Sequence, residues 1–128
     1  MISPNSKPTF SFNQEGTIFM GSKRAHESCE IGIFGVSYDG TTSFRPGTRF
    51  GPSAIREASY GLETYCPHLN KDLENIDFAD LGALEIPNGA PEPVISVIQE
   101  ATSHLLSQGI KPLMLGGEHS LTAGAVCA

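Results

Sequence analysis

The residues best equipped for chemistry crowd into one short stretch. Gly116 and Gly117 end an apolar run, and Glu118, His119 and Ser120 follow at once. A neutral imidazole is a good ligand for a divalent metal ion, and glycines beside it let the backbone turn sharply or pass close to a ligand. The plainer reading is a histidine at a helix start whose nitrogens are satisfied by hydrogen bonds. On these five residues alone the two readings stand level. A third reading, a helix start from Gly117 to Ser120 that cradles a small anion, is opposed by the charge of Glu118.

Elsewhere the reactive side chains are scattered. His26, His68 and His104 have no neighbours of ligand type. Asp77 and Asp80 lie three apart in a stretch that alternates like a strand, which sends them to opposite faces, so both are expected to be solvated carboxylates. Asp39, in an Asp-Gly pair, has the right charge for a cationic ligand, although a turn is the ordinary job of such a residue. Arg45 and Arg49 stand among glycines as in an anion cradle, but no Gly-x-x-x-x-Gly-Lys-Ser/Thr or Gly-x-Gly-x-x-Gly accompanies them. Loop rigidity, carboxylate pairing and subunit contact are expected of them instead. Cys29, Cys66 and Cys127 are odd in number and form no Cys-x-x-Cys, which argues for reduced thiols in a cytoplasm. Of these, Cys66 is expected to be exposed and Cys127 to be buried in a helix.

The elements that must position His119 can be read in the same way. Pro112 to Leu115 is too short and too abruptly bounded for a helix, and is expected to be a buried parallel strand. His119 then stands at a strand-to-helix turn, where open α/β sheets usually hold ligands. Ile31 to Val36 reads as a second buried strand, its glycines suggesting close approach of a helix, and the loop Ser37 to Phe50 falls at its carboxyl end. Gly51-Pro52 opens a helix whose Ala54, Ile55, Ala58, Leu62 and Tyr65 would form the apolar face, with Arg56 and Glu57 opposite. Pro67 to Glu74 is a polar connector, and Ile76 to Gly82 is expected to be a short edge strand. Pro91 and Pro93 open a second helix, Val94, Ile98, Ala101 and Leu105 give it an apolar stripe, and Gly109 ends it. Strands alternating with helices make the fold class α/β.

Bulk properties narrow the partners. A chain of 128 residues and 13.6 kDa with 39% hydrophobic residues suits one domain with its own core. A formal charge of −6 and a pI near 5.0 argue against nucleic acid or an anionic membrane as partner, and suit a small cation better. No apolar run approaches the roughly 20 residues that span a bilayer, and Met1 to Met20 does not resemble a secretory signal. A cytoplasmic location is expected. Residues 1–24, rich in Ser, Pro, Asn and Gly, read as an N-terminal arm, and residues 25–128 as the body.

Gly116-Gly117-Glu118-His119-Ser120 after a hydrophobic strand resembles the first metal-ligand motif of the ureohydrolases, the arginase and agmatinase family. The similarity extends through Gly35-Val36-Ser37-Tyr38-Asp39-Gly40-Thr41-Thr42-Ser43-Phe44-Arg45-Pro46-Gly47-Thr48-Arg49-Phe50-Gly51-Pro52, with Ile55-Arg56 and Tyr60 to Tyr65 after it, and is closest to the agmatinase branch. Glu118, where arginases usually carry Asp, points the same way. This resemblance implies a three-layer α-β-α fold with a mainly parallel sheet, of which only the first strands and helices would be present. It implies an arm lying against the body or a neighbouring subunit, a homo-oligomer, and a small cationic guanidino substrate. Agmatine plus water would give putrescine and urea, with two Mn(2+) ions per full-length site and His119 as a ligand of one. Glu118, Ser120 and Asp39 would stand behind the ligands, Ser120 as the cap of the next helix.

Such a metal is chemically apt. Resonance makes the guanidinium carbon a poor electrophile, and a hydroxide held by two divalent ions is a strong nucleophile near neutral pH. The family pattern also needs an Asp-Ala-His-x-Asp segment and an Asp-x-Asp segment, and neither occurs here. The expectation is therefore a truncated ureohydrolase domain, inactive as this chain alone. Alternatives are another ureohydrolase such as a guanidinobutyrase or arginase, or a non-catalytic fragment acting only through subunit association.

Overall fold

Runs of β-branched and large apolar residues without internal charge favour extended backbone, and two such runs organise the sheet. A computed structural model describes residues 8–14, 16–24 and 29–128. In chain order the elements are β1 (Phe12–Asn13), β2 (Lys23–Arg24), β3 (Ile31–Val36), α1 (Gly51–Ser59), β4 (Tyr65–Cys66), β5 (Lys71–Asp72), β6 (Phe78–Leu84), α2 (Pro91–Ser107), β7 (Lys111–Gly116) and α3 (Thr122–Val126). Short 3-10 turns at Thr48–Phe50, Leu73–Asn75 and His119–Leu121 precede α1, β6 and α3. His26 lies outside the described residues, as do residues 1–7 of the arm.

The main sheet runs β1-β6-β3-β7, with β2 also paired to β6. Strands β6, β3 and β7 are mutually parallel, β2 is parallel to β6, and β1 is antiparallel to it. Because side chains alternate across a strand, β3 divides its residues between two faces. Phe34 and Val36 join Ala79, Leu81 and Leu84 of β6 and Val94, Ile98, Ala101 and Leu105 of α2 in the main core. Gly35 faces the other way, onto Pro52 and Arg56 of α1. The result is helix, sheet, helix in three layers, the α/β arrangement expected. Pro91 and Pro93 do open α2, its expected stripe is buried, and Gly109 follows it with a left-handed φ of 76°.

Several expectations are corrected. The third strand is internal, since β1 and β2 of the arm cover its outer side. The arm also packs Phe12 on Phe34 (5.7 Å between ring centres) and Phe19 on Phe78 (6.3 Å). Asp80 is not solvated: it is 1% exposed and forms a bidentate ion pair with Arg56, Nε to Oδ2 at 2.7 Å and Nη2 to Oδ1 at 2.8 Å. Arg56 also donates to the Gly82 carbonyl at 3.0 Å. A buried charge must be paired, and bringing Arg56 to Asp80 fixes the rotation of α1. Its buried side is Pro52, Arg56 and Ser59, while Ile55 is 42% exposed and Leu62 and Tyr65 lie open as well. The apolar face expected from spacing is thus turned outward.

Strand β7 is parallel but not fully buried. Among the described residues nothing pairs with its outer edge, and Leu113 is 43% exposed. Cys127 is exposed rather than buried because the α3 turn ends at the surface, whereas Cys29 is buried; all three thiols are free. Among the described residues no helix is long and apolar enough to cross a membrane.

Candidate functional site

Parallel strands that leave β3 in opposite directions make a crevice where their loops diverge. The chain passes from β3 to β6 on one side, then through α2 to β7 on the other. In open α/β sheets such a switch point, at the carboxyl ends of the strands, is where ligands sit. The loop after β3 and the turn after β7 meet there.

Their contact is close and specific. The amide of Gly117 donates to the Val36 carbonyl at 3.0 Å, and that of Glu118 to the Tyr38 carbonyl at 3.0 Å. A Cβ on Gly117 would lie 2.0 Å from the Tyr38 oxygen, so only glycine lets the two segments cross. The Glu118 carboxylate then reaches over the crossing, accepting from the Thr41 amide at 2.7 Å and from the hydroxyls of Thr41 and Ser120. Partial burial pushes the Glu118 carboxyl up, but these donors outweigh it and hold it below its ordinary value, so it stays an acceptor near neutral pH. Tyr38 shows the reverse: burial, then the nearby charges of Glu118 and Glu92, raise its phenol, which remains protonated and donates to the Gly89 carbonyl at 2.9 Å.

Beside this crossing is an open depression of about 400 Å³, lined by Thr41, Thr42, Phe44, Arg45 and His119 among others. His119 is exposed on its wall, as the first residue of the 3-10 turn. The ring therefore stands at the upper rim of the sheet and is not enclosed by hydrocarbon. Glu118 and Ser120 border the same depression but are engaged with each other and with Thr41. Ser120 does not cap the helix as expected. Glu118 is the residue at the cap position, with no side-chain cap bond, and the nearest acceptor for the Ser120 hydroxyl is that carboxylate.

Asp39 is turned into its own loop. It accepts from the Gly47 amide at 2.6 Å and pairs with the Arg49 Nε at 3.3 Å, with its side chain 8% exposed. It closes the loop and leaves its charge spent on Arg49. Arg45 and Arg49 lie over the rings of Phe44 and Phe50, at 5.2 and 5.5 Å from their centres. Sequence reasoning missed Thr41, because a threonine in a polar loop carries no mark of its partner 77 residues away.

The donor set decides how far a metal would fit. No group of three or more His, Cys, Asp or Glu side chains able to hold an ion occurs among the described residues. His119 is suitable as one ligand of a larger set, and a complete coordination sphere does not fit these residues by themselves.

The arginase family model matches residues 29–128. Agmatinase of Bacillus anthracis is 44% identical over 104 residues, covering 81% of this chain and 36% of that protein. The solved agmatine ureohydrolase of Thermoplasma volcanium superposes with a TM-score of 0.81 at 36% identity, covering 88% of this chain and 38% of the other. Trypanosoma cruzi formiminoglutamase, solved with Mn2+, gives a TM-score of 0.69 at 25% identity, over 82% of this chain and 36% of that one. The chain thus spans about a third of the length of the curated relatives it matches, 36% in the Bacillus anthracis case.

Proposed function

The chain belongs to the arginase family, and on that premise we propose that it forms the first wall of an agmatinase-like active site in a longer enzyme. That enzyme would act in the cytoplasm, as a homo-oligomer, on a small cationic guanidino compound: agmatine and water to putrescine and urea. The observation that carries the reading is the exposed His119 on the depression at the carboxyl ends of β3 and β7. The likeness to proteins named agmatinase and agmatine ureohydrolase supports the reaction class.

Manganese, two ions in the complete site, would supply a hydroxide nucleophile near neutral pH. This chain's own part is narrower. His119 offers a neutral imidazole to one ion, and Glu118 holds the turn that carries it. The acidic balance of the chain, −6, favours the approach of a cationic substrate. With a single suitable ligand, the 128 residues alone are expected to be inactive. The open outer edge of β7 favours a second reading, a non-catalytic fragment that associates with full-length subunits.

Urea release from agmatine, arginine and guanidinobutyrate by the extended reading frame tests the first reading. Urea from agmatine above the other two supports it, a preference for another of the three moves it to a sister activity, and no urea from any removes it.

A further inference from the structure

The turn that carries His119 is fastened on both sides. Gly117 and Glu118 continue the ladder between β3 and β7 through main-chain bonds to Val36 and Tyr38, which most residue types could make at Glu118. The third fastening is different, because it needs a carboxylate. One Glu118 oxygen takes the Thr41 amide at 2.7 Å, and the other takes the hydroxyls of Thr41 and Ser120. The residues before and after His119 are therefore tied to one point, and that point is tied to the opposite loop.

From this geometry we propose that Thr41 and Glu118 are positioning residues for the His119 imidazole, fixing where it stands on the wall of the depression. The proposal rests on the reading of His119 as a ligand. Charge-assisted bonds are roughly twice as strong as neutral ones, so this bridge, rather than the short α3 helix beyond it, sets the path of residues 117–120. Thr41 contributes twice, by amide and by hydroxyl, and only the hydroxyl depends on residue type.

The test uses the 128-residue chain and Mn(II), read by paramagnetic broadening of the histidine ring signals, with His68 and His104 as internal references. Groups behind a metal ligand commonly change affinity 10- to 100-fold when removed. Thr41→Val and Glu118→Gln should each demand roughly tenfold more Mn(II) for the same broadening of His119. Thr41→Ser, which restores the hydroxyl, should behave as the parent. Urea unfolding midpoints of all three should stay near the parent's, which separates positioning from general loosening. Selective broadening of His119 that is equal in parent, Thr41→Val and Glu118→Gln overturns the positioning role and leaves the ligand reading standing. Broadening in the parent no greater at His119 than at His68 overturns the ligand reading, and the positioning role with it.

Discussion

Arg56 of α1 and Asp80 of β6 face each other across the seam between helix and sheet as a buried, two-pronged ion pair. Neither charge reaches solvent to any extent, with Arg56 5% and Asp80 1% exposed. Gly35 makes the approach possible, since a Cβ there would lie 3.0 Å from the Arg56 Nη1. Asp80 also accepts the Phe19 amide at 2.7 Å and the Gly82 amide at 2.9 Å, so the same carboxylate holds arm, helix and strand together.

Removing one member leaves the other buried without its partner, which typically costs about 3–5 kcal/mol. Arg56→Ala and Asp80→Ala should each destabilise the chain by about that much in urea unfolding. Because the loss in each case is mainly the orphaned charge, the double variant should lose much less than the sum. Additive losses would mean that the two side chains act separately.

The same pair gives a pH dependence with a definite sign. Burial alone would push the Asp80 carboxyl up, but the Arg56 hydrogen bonds, the Phe19 and Gly82 amides and the Arg56 charge together hold it below its ordinary value. The unfolded chain, with a carboxyl near 3.9, therefore binds the proton first as pH falls. The contribution of Asp80 is present in full above that unfolded value and is lost as pH drops through the folded one. The urea midpoint should decline between about pH 5 and pH 2, and less steeply in Asp80→Asn. Glu100 and Glu118 are also lowered, but they remain in both proteins, so the difference in slope isolates Asp80.

Helix α1 and helix α2 should answer differently to the same substitution. Ile98 is fully buried in the core, and Ile98→Ala should cost about 2–5 kcal/mol. Ile55, 42% exposed, belongs to the outward side of α1, and Ile55→Ala should stay within about 0.5 kcal/mol of the parent. A loss at Ile55 comparable with that at Ile98 would restore the apolar face that spacing alone suggests.

That contrast shows what was legible in the sequence. Helix α2 has enough apolar residues at helical spacing that burial of Val94, Ile98, Ala101 and Leu105 follows from hydrophobicity alone. The orientation of α1 does not, because it is decided by Asp80, a residue 24 positions from Arg56 whose burial is invisible until the sheet forms. The same holds at the candidate site. His119 and the glycines before it mark a strand-to-helix turn locally, whereas Thr41 becomes significant only when the loop after β3 is folded over Glu118. Local pattern reveals elements and their ends; pairing between distant polar groups does not show in it.

Gly117→Ala tests the crossing of the two segments. The added Cβ would lie 2.0 Å from the Tyr38 oxygen, so one strand end must shift. Overpacking of this kind costs about 1–3 kcal/mol, and the displaced turn should lose the Glu118 amide bond to Tyr38. Native-state hydrogen exchange at the Glu118 amide should accelerate well beyond that of core amides in β3. Unchanged protection there would show that the loops have room to spare.

His119→Ala separates chemistry from architecture. The side chain is exposed and shares none of the hydrogen bonds that fasten the turn, which run through Gly117, Glu118, Thr41 and Ser120. Removing it should therefore change unfolding free energy by no more than about 0.5 kcal/mol. In the extended enzyme, manganese measured by atomic emission should nevertheless fall, because an imidazole ligand is lost while its support stays in place. Loss of metal with unchanged stability places the imidazole in the coordination sphere. An unchanged metal count makes His119 a surface residue at the rim of the sheet, and the wall of the depression then has no ligand of its own to offer.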